Sequence, residues 1–208
     1  MKYPWIDEYL LKKRGVTKDL QESWNWVRYK VGDKMFAALC LDEKNIPYYI
    51  NLKLDPEEGK FLRSQYEDII PGYYSNKQHW NSIKPDGAVP DELLMDLLDK
   101  SYRLILDSFP KKRQRELLGL SCCGTECEKC SLFQHSCDGC NALEGRVFHV
   151  PEGKICAIYA CAAKKNKLAN CAGCKNLPCE IWRATKDPNM TQEEFEENIK
   201  KRVKNLSL

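Results

Sequence analysis

The sequence predicts an α+β protein: an antiparallel sheet with helices on one face, in the order α-β-β-β-α-β-β-α, followed by a small Cys-rich domain with a C-terminal helix. Three observations predict it. Eleven of the twelve cysteines fall between Cys122 and Cys179, and the first 121 residues hold only Cys40. Three apolar runs between Trp24 and Leu54 are joined by short stretches of turn residues. Downstream, Asp-Pro-Glu-Glu and Pro-Asp-Glu segments open two helices. The change in composition divides the chain into an α+β domain, 1–119, and a Cys-rich domain, 120–208.

Pro4 to Lys13 reads as a short helix, with Trp5, Tyr9 and Leu10 on one face and Gly15 as its stop. Trp24–Val31 alternates with period two, Met35–Leu41 is more continuously apolar and therefore central, and Pro47–Leu54 is the third strand. Gly32-Asp33 and Asp42-Glu43-Lys44-Asn45 suit hairpins, so the three strands run antiparallel. Asp55 caps the next helix, Pro56 fits its first turn, and Glu57 and Glu58 face the positive end of its dipole. That helix extends to about Gln65. Strand signals return at Asp68–Ile70 and Trp80–Lys84. A long helix then opens at Pro90, buries Leu93, Leu94, Leu97, Leu98, Tyr102, Ile105 and Leu106, and ends at Phe109-Pro110. Arg113–Leu118 forms a short linking helix that stops at Gly119. At the far end, Thr191 and Glu194 form a capping box, and Phe195, Ile199 and Val203 the buried stripe of a final helix.

Charge excludes little. The chain has 33 Lys+Arg against 30 Asp+Glu, a net +3 that does not by itself mark a nucleic-acid binder. No nucleophile has an adjacent base, and G-x-S-x-G, P-loop and H-E-x-x-H motifs are absent. Met1–Glu8 has no apolar run of signal-peptide type, and no stretch approaches the roughly 20 apolar residues of a membrane span. The expected compartment is the cytoplasm, with no membrane partner.

Between two strands lies a polar-aromatic set: Asn76, Lys77, His79 and Trp80, with Lys53 at the end of the third strand. Lys77, Lys53 and His79 suit a phosphate or another anion, and Trp80 a stacked ring. The structural reading, which is preferred, makes Trp80 core, Asn76 a turn residue and His79 a hydrogen-bonded edge residue. Asn51-Leu52-Lys53, Asp55-Pro56-Glu57, Pro71-Gly72-Tyr73, Asn76-Lys77-Gln78-His79-Trp80 and Asp86-Gly87-Ala88-Val89-Pro90-Asp91 resemble the MmcQ/YjbR family over about residues 1–118. The resemblance implies a compact α/β fold with the order above and a double-wing, DNA-binding-like shape. It implies no established activity.

The second half is organised by sulfur. Cys127-Glu-Lys-Cys130, Cys137-Asp-Gly-Cys140 and Cys171-Ala-Gly-Cys174 are three C-x2-C pairs, spaced as metal ligands are. Disulfides would need an oxidising compartment. The segment 121–180 is poor in large aliphatic side chains, so metal is expected to supply folding free energy and the domain to be metal-stabilised. Cys123-x3-Cys127-x2-Cys130 matches the cluster motif of radical S-adenosylmethionine enzymes but lacks the barrel they need. Cys171-x2-Cys174-x4-Cys179 starts like a zinc knuckle and lacks its fourth ligand. As a whole, residues 122–182 resemble a bacterial and archaeal domain of unknown function. That resemblance implies a ligand set of Cys123, Cys127, Cys130, Cys137, Cys140, Cys156, Cys161, Cys171, Cys174 and Cys179. Ten thiols do not divide by four. Two sites leave two over, three sites need Cys122, His135 or His149, and a bridging thiolate is a third arrangement. The expected cofactor is zinc, two or three ions, with an iron–sulfur cluster as the alternative.

The function expected is that of a non-catalytic binding protein with a structural zinc module, whose partner is nucleic acid or another protein. The alternatives are a metal or thiol redox sensor, or an iron–sulfur protein.

Overall fold

The computed structural model describes residues 2–207, which form two compact units, Met1–Phe109 and Pro110–Leu208. The first unit has helices α1 (Ile6–Leu11), α2 (Pro56–Gln65) and α3 (Asp91–Asp107). Its strands are β1 (Val16–Gln21), β2 (Trp26–Val31), β3 (Lys34–Leu41), β4 (Pro47–Lys53), β5 (Ile69–Pro71) and β6 (Trp80–Ile83). They form one antiparallel sheet in the order β1-β2-β3-β4-β6-β5. The expected class holds, with one more strand than the sequence predicts. Strand β1 is an edge strand, and its polar residues Thr17, Lys18 and Asp19 gave no apolar alternation to read. Strand β2 starts two residues later than expected, because Glu22–Trp24 forms a 3₁₀ turn closed by Asn25.

All three helices cover the same face. Helix α3 packs on β2, β3 and β4. Helix α1 joins it through Trp5 Nε1, which donates to Asp91 at 2.6 Å, and Tyr9 Oη, which donates to Asp99 at 2.7 Å. Lys100 of α3 reaches Glu58 of α2 at 2.5 Å. Asp55 caps α2 as expected, accepting from Glu57 N at 3.0 Å. Ser101 fastens α3 to two strands at once. Its hydroxyl donates to Phe36 O at 2.6 Å and accepts from Lys53 N at 2.9 Å. The core between the layers includes Phe36, Ile50, Leu52, Ile83, Leu94, Leu97 and Leu98.

Several phenols in this unit are held neutral. Burial, then the Asp7 carboxylate that Tyr29 donates to, raises the Tyr29 phenol far above its ordinary 10.0. Burial pushes Tyr102 up to about 12. A raised folded value means that the stability is complete below the unfolded value and is lost as pH climbs through the folded one. We therefore expect the urea midpoint of the first unit to hold to pH 10 and to fall between pH 10 and 12. A midpoint unchanged at pH 12 would contradict this account.

In the second unit, α4 (Lys111–Leu118) leads into a loop-rich segment with α5 (Gly139–Ala142), α6 (Ala157–Tyr159), α7 (Glu180–Arg183) and α8 (Gln192–Leu206). The sequence sets the domain boundary at 119–120, whereas the units part at Phe109–Pro110. The reason is packing. Leu118 is buried, and Arg115 Nη1 donates to Leu168 O and Ala169 O at 3.2 Å each, which ties α4 into this unit. Helix α8 has the predicted capping box, with Thr191 Oγ1 accepting from Glu194 N and Glu194 Oε2 accepting from Thr191 N. Its Phe195, Ile199 and Leu206 pack with Ile158, Tyr159 and Trp182 into one core. Val203 is only half-buried. Arg202 takes the inner position instead, with its guanidinium 4.3 Å over the Trp182 ring and its Nε donating to Cys123 O at 3.1 Å.

Candidate functional site

Two regions carry chemistry, one in each unit. The first is the face of the sheet opposite α1, α2 and α3. Register places Trp26, Cys40, Ala38, Asn51, Ser82, Lys53 and Trp80 there. A bulge in β3 at Phe36 shifts the alternation, so that Met35 packs with Ala38 and Cys40 on this face. The face is aromatic. Trp24 lies 5.6 Å from Trp26, and Tyr48, Tyr49, Tyr73 and Tyr74 follow one another at 5.2, 5.3 and 4.3 Å between ring centroids. Trp24 is 55% exposed and Tyr74 79%, which is unusual for rings of this size. Trp24, Trp26, Met35, Tyr48, Tyr74, Asn76 and Trp80 line a cavity of about 410 Å³.

Cations on this face differ in how they are held. Arg28 and Lys30 are tied to Asp19 at 2.7 and 2.5 Å. Hydrogen bonds from these two bring the Asp19 carboxyl down to about 2. Lys53 instead sits over the Trp80 ring, 5.3 Å from its centroid. Ser82 Oγ donates to Asn51 Oδ1 at 2.6 Å, and the buried Asn51 Nδ2 has no partner among the described residues.

The second region is the cysteine half. All twelve cysteines are free thiols. Two of the three C-x2-C segments fold alike. Cys127–Lys129 and Cys171–Gly173 are single 3₁₀ turns, each closed by the second cysteine's N–H donating to the first one's carbonyl at 2.9 Å. Cys130 and Cys174 then continue in extended backbone. Cys127, Cys130, Cys137 and Cys140 line one small cavity of about 80 Å³, with His149. Cys161, Cys171, Cys174 and Cys179 line a larger groove of about 800 Å³. Among the described residues, no three or more His, Cys, Asp or Glu side chains meet as placed in a constellation that could hold an ion.

The thiols differ in their surroundings. Hydrogen bonding from Cys140 lowers the Cys127 thiol below its ordinary value, and the same bond, with burial, raises Cys140. Burial pushes the Cys123 thiol up, but Arg202 and the hydroxyls of Ser121 and Thr125 outweigh it and the net shift is downward. Asn166 Nδ2 donates to Cys161 Sγ at 3.4 Å. Burial pushes the Cys171 thiol up to about 11, and the nearby buried Trp182 indole N–H, which lacks a well-aligned partner among the described residues, offsets that only in part. Thiolate is the ligand type that zinc and iron take, and Cys123 and Cys127 are the thiols shifted toward it, whereas Cys140 and Cys171 are held protonated.

Comparison with known proteins agrees with this division. Residues 11–104 match the family model described as YjbR, and residues 133–184 match that of a protein of unknown function, DUF3795. The uncharacterized protein YjbR of Escherichia coli K12 is 31% identical over 113 residues, which cover 54% of this chain and 94% of that protein. The chain belongs to the YjbR family. Another uncharacterized member, YbdF of Escherichia coli O157:H7, is 36% identical over 89 residues, 43% of this chain and 71% of that protein. A crystal structure of the Deinococcus radiodurans protein DR2400 is 31% identical, covers 56% of this chain and 86% of that one, and gives a TM-score of 0.49.

Within the YjbR half, the five residues singled out from the sequence take different places. Trp80 is buried and Asn76 is exposed, yet both line the aromatic cavity. Asn76 Oδ1 accepts from Gln78 N and His79 N at 2.9 and 3.3 Å, which builds the turn before β6. Lys53 is brought to Trp80, while Lys77 and His79 are exposed on that turn. Sequence reasoning missed Trp24, Trp26, Tyr48 and Tyr74. The available signal was an excess of rings at strand ends and beside turns, at Trp24, Tyr48, Tyr73 and Tyr74.

Proposed function

We propose that the protein is a non-catalytic binding protein of the reducing cytoplasm that takes single-stranded nucleic acid on the open face of its YjbR sheet, with a zinc-stabilised cysteine module behind it in the chain. One observation carries the reading: seven aromatic rings, several of them exposed, crowd the sheet face opposite the three helices of its own unit. Bases stack on such rings without regard to sequence, and each stacked base contributes about 1–3 kcal/mol. Lys53 above Trp80, with Lys77 on the adjoining turn, supplies cations for the backbone phosphates. A cavity of about 410 Å³ accommodates a planar base between Trp24, Tyr48 and Tyr74.

The test is tryptophan fluorescence titrated with a polypyrimidine oligonucleotide at low salt. Quenching is expected, and it should weaken steeply as salt rises. Trp24→Ala with Tyr74→Ala should lower affinity at least tenfold and leave the melting temperature within a degree or two, since both rings are largely exposed. Lys53→Ala with Lys77→Ala should flatten the salt slope. A protein that does not bind the oligonucleotide at low salt would exclude this function.

A further inference from the structure

The aromatic cavity of the YjbR sheet has two unlike sides. Its β2 side is formed by Trp24 and Trp26, whose rings lie 5.6 Å apart. The basic residues of that strand, Arg28 and Lys30, are both engaged by Asp19. Its β6 side is formed by Trp80 and Asn76. There Lys53 lies over the Trp80 ring, 5.3 Å from its centroid, and Lys77 is exposed beside Asn76 on the same turn. Asn76 Oδ1 is taken by the N–H groups of Gln78 and His79, which leaves Nδ2 as a donor. Rings thus line the cavity throughout, and cations that can meet an anion stand on one side of it. The backbone fixes the two exposed rings at its border. Tyr74 has a φ of +56°, and Asn25, which closes the turn carrying Trp24, a φ of +52°. An aromatic residue rarely adopts this conformation, and such strain collects where a ligand is held.

We infer that this face takes a single nucleotide unit, one base with its adjoining phosphate, and is not a track for a run of bases. This rests on the nucleic-acid reading above and deepens it by setting the size and the direction of the site. The base enters between Trp24, Tyr48 and Tyr74, and its phosphate lies toward Lys53 and Lys77. A strand continuing across β2 toward β1 would meet cations that Asp19 already neutralises. A free nucleotide and one nucleotide within a strand share this chemistry.

Tryptophan fluorescence of the intact chain at low salt, titrated with thymidine, thymidine monophosphate and a ten-residue oligothymidylate, reads the size of the site. The monophosphate should bind at least about fivefold tighter than thymidine, because only its phosphate meets the lysines. Lys53→Ala with Lys77→Ala should reduce that preference to less than about twofold. The oligothymidylate should exceed the monophosphate by no more than about tenfold, the number of equivalent registers it offers, whereas contacts linked along a track would add about 10²–10⁴. The monophosphate should also displace the oligothymidylate completely. A tighter monophosphate identifies the free nucleotide as the source, and an oligothymidylate that is equal or up to tenfold tighter identifies a nucleotide within a strand. Both support the single site. An advantage of the oligothymidylate above tenfold, or equal binding of thymidine and its monophosphate, overturns the inference while the nucleic-acid reading stands. No quenching by any of the three overturns both. Should the lysine variant fail to fold, the comparison of the three ligands on the wild-type protein decides.

Discussion

Stripping the proposed zinc from the intact protein with a strong chelator under reducing conditions should unfold residues 110–207 and leave residues 2–109 folded. The second unit is built largely of loops, and its four helices before α8 span eight residues or fewer. Its core depends on a few large side chains, Trp182, Phe195, Ile199 and Leu206 among them, drawn from segments that are distant in sequence. A structural zinc contributes on the order of 10 kcal/mol in small peptides, while a whole domain is stable by only about 5–15 kcal/mol. Zinc bound as proposed would therefore contribute as much as a whole domain's net stability. The first unit has no such dependence, because its three helices and six strands bury a continuous core. Hydrogen exchange read by mass spectrometry separates the outcomes. Fast exchange across α8 after chelation, beside unchanged protection in β3 and α3, is expected. Protection of α8 that survives complete metal removal would show that apolar packing suffices.

The second large effect is expected at Gly124. This residue has a φ of +74°, a conformation that side chains with a Cβ rarely adopt. An added Cβ would lie 2.2 Å from the carbonyl oxygen of Arg202 and 2.9 Å from Leu206. Backbone cannot rotate away, so α8 must lift. Lifting breaks the bonds from Arg202 Nε to Cys123 O and from Asn205 Nδ2 to Gly124 O, and it loosens Leu206 from the core. Gly124→Ala should cost on the order of 3 kcal/mol, the sum of backbone strain and overpacking. Calorimetry should show a lower transition for the second unit alone. A shift of less than about 1 kcal/mol would mean that the close approach relaxes easily.

Much of the first unit could be read from the sequence, because its helix signals and apolar runs are local. The capped start of α2, the Pro-Asp-Glu start of α3, the central character of β3 and the capping box of α8 all follow from residues a few positions apart. Strand β1 escaped, since an edge strand with one exposed face owes its conformation to its neighbour β2 and not to its own apolar residues. The aromatic face escaped for a different reason. Trp24, Tyr48 and Tyr74 are far apart in the chain, and only strand register, with the irregularity between Cys40 and Leu41 that turns Tyr48 to this face, brings them together. The thiols were visible as spacing, but their grouping was not. Cys161 and Cys179 stand 18 positions apart and line one groove, and Cys140 is felt not only by Cys127 but by Cys123 and Cys156, 17 and 16 positions away in opposite directions.

The arrangement of the sheet also bears on how this half of the protein can diverge. Its three helices and the residues that anchor them lie on one side, and the exposed rings of Trp24, Tyr73 and Tyr74 on the other. Replacing one of those rings costs the fold little, so selection for stability scarcely constrains what the outer surface recognises. Lineages can therefore exchange one binding preference for another by a handful of surface substitutions, with no passage through an unfolded ancestor.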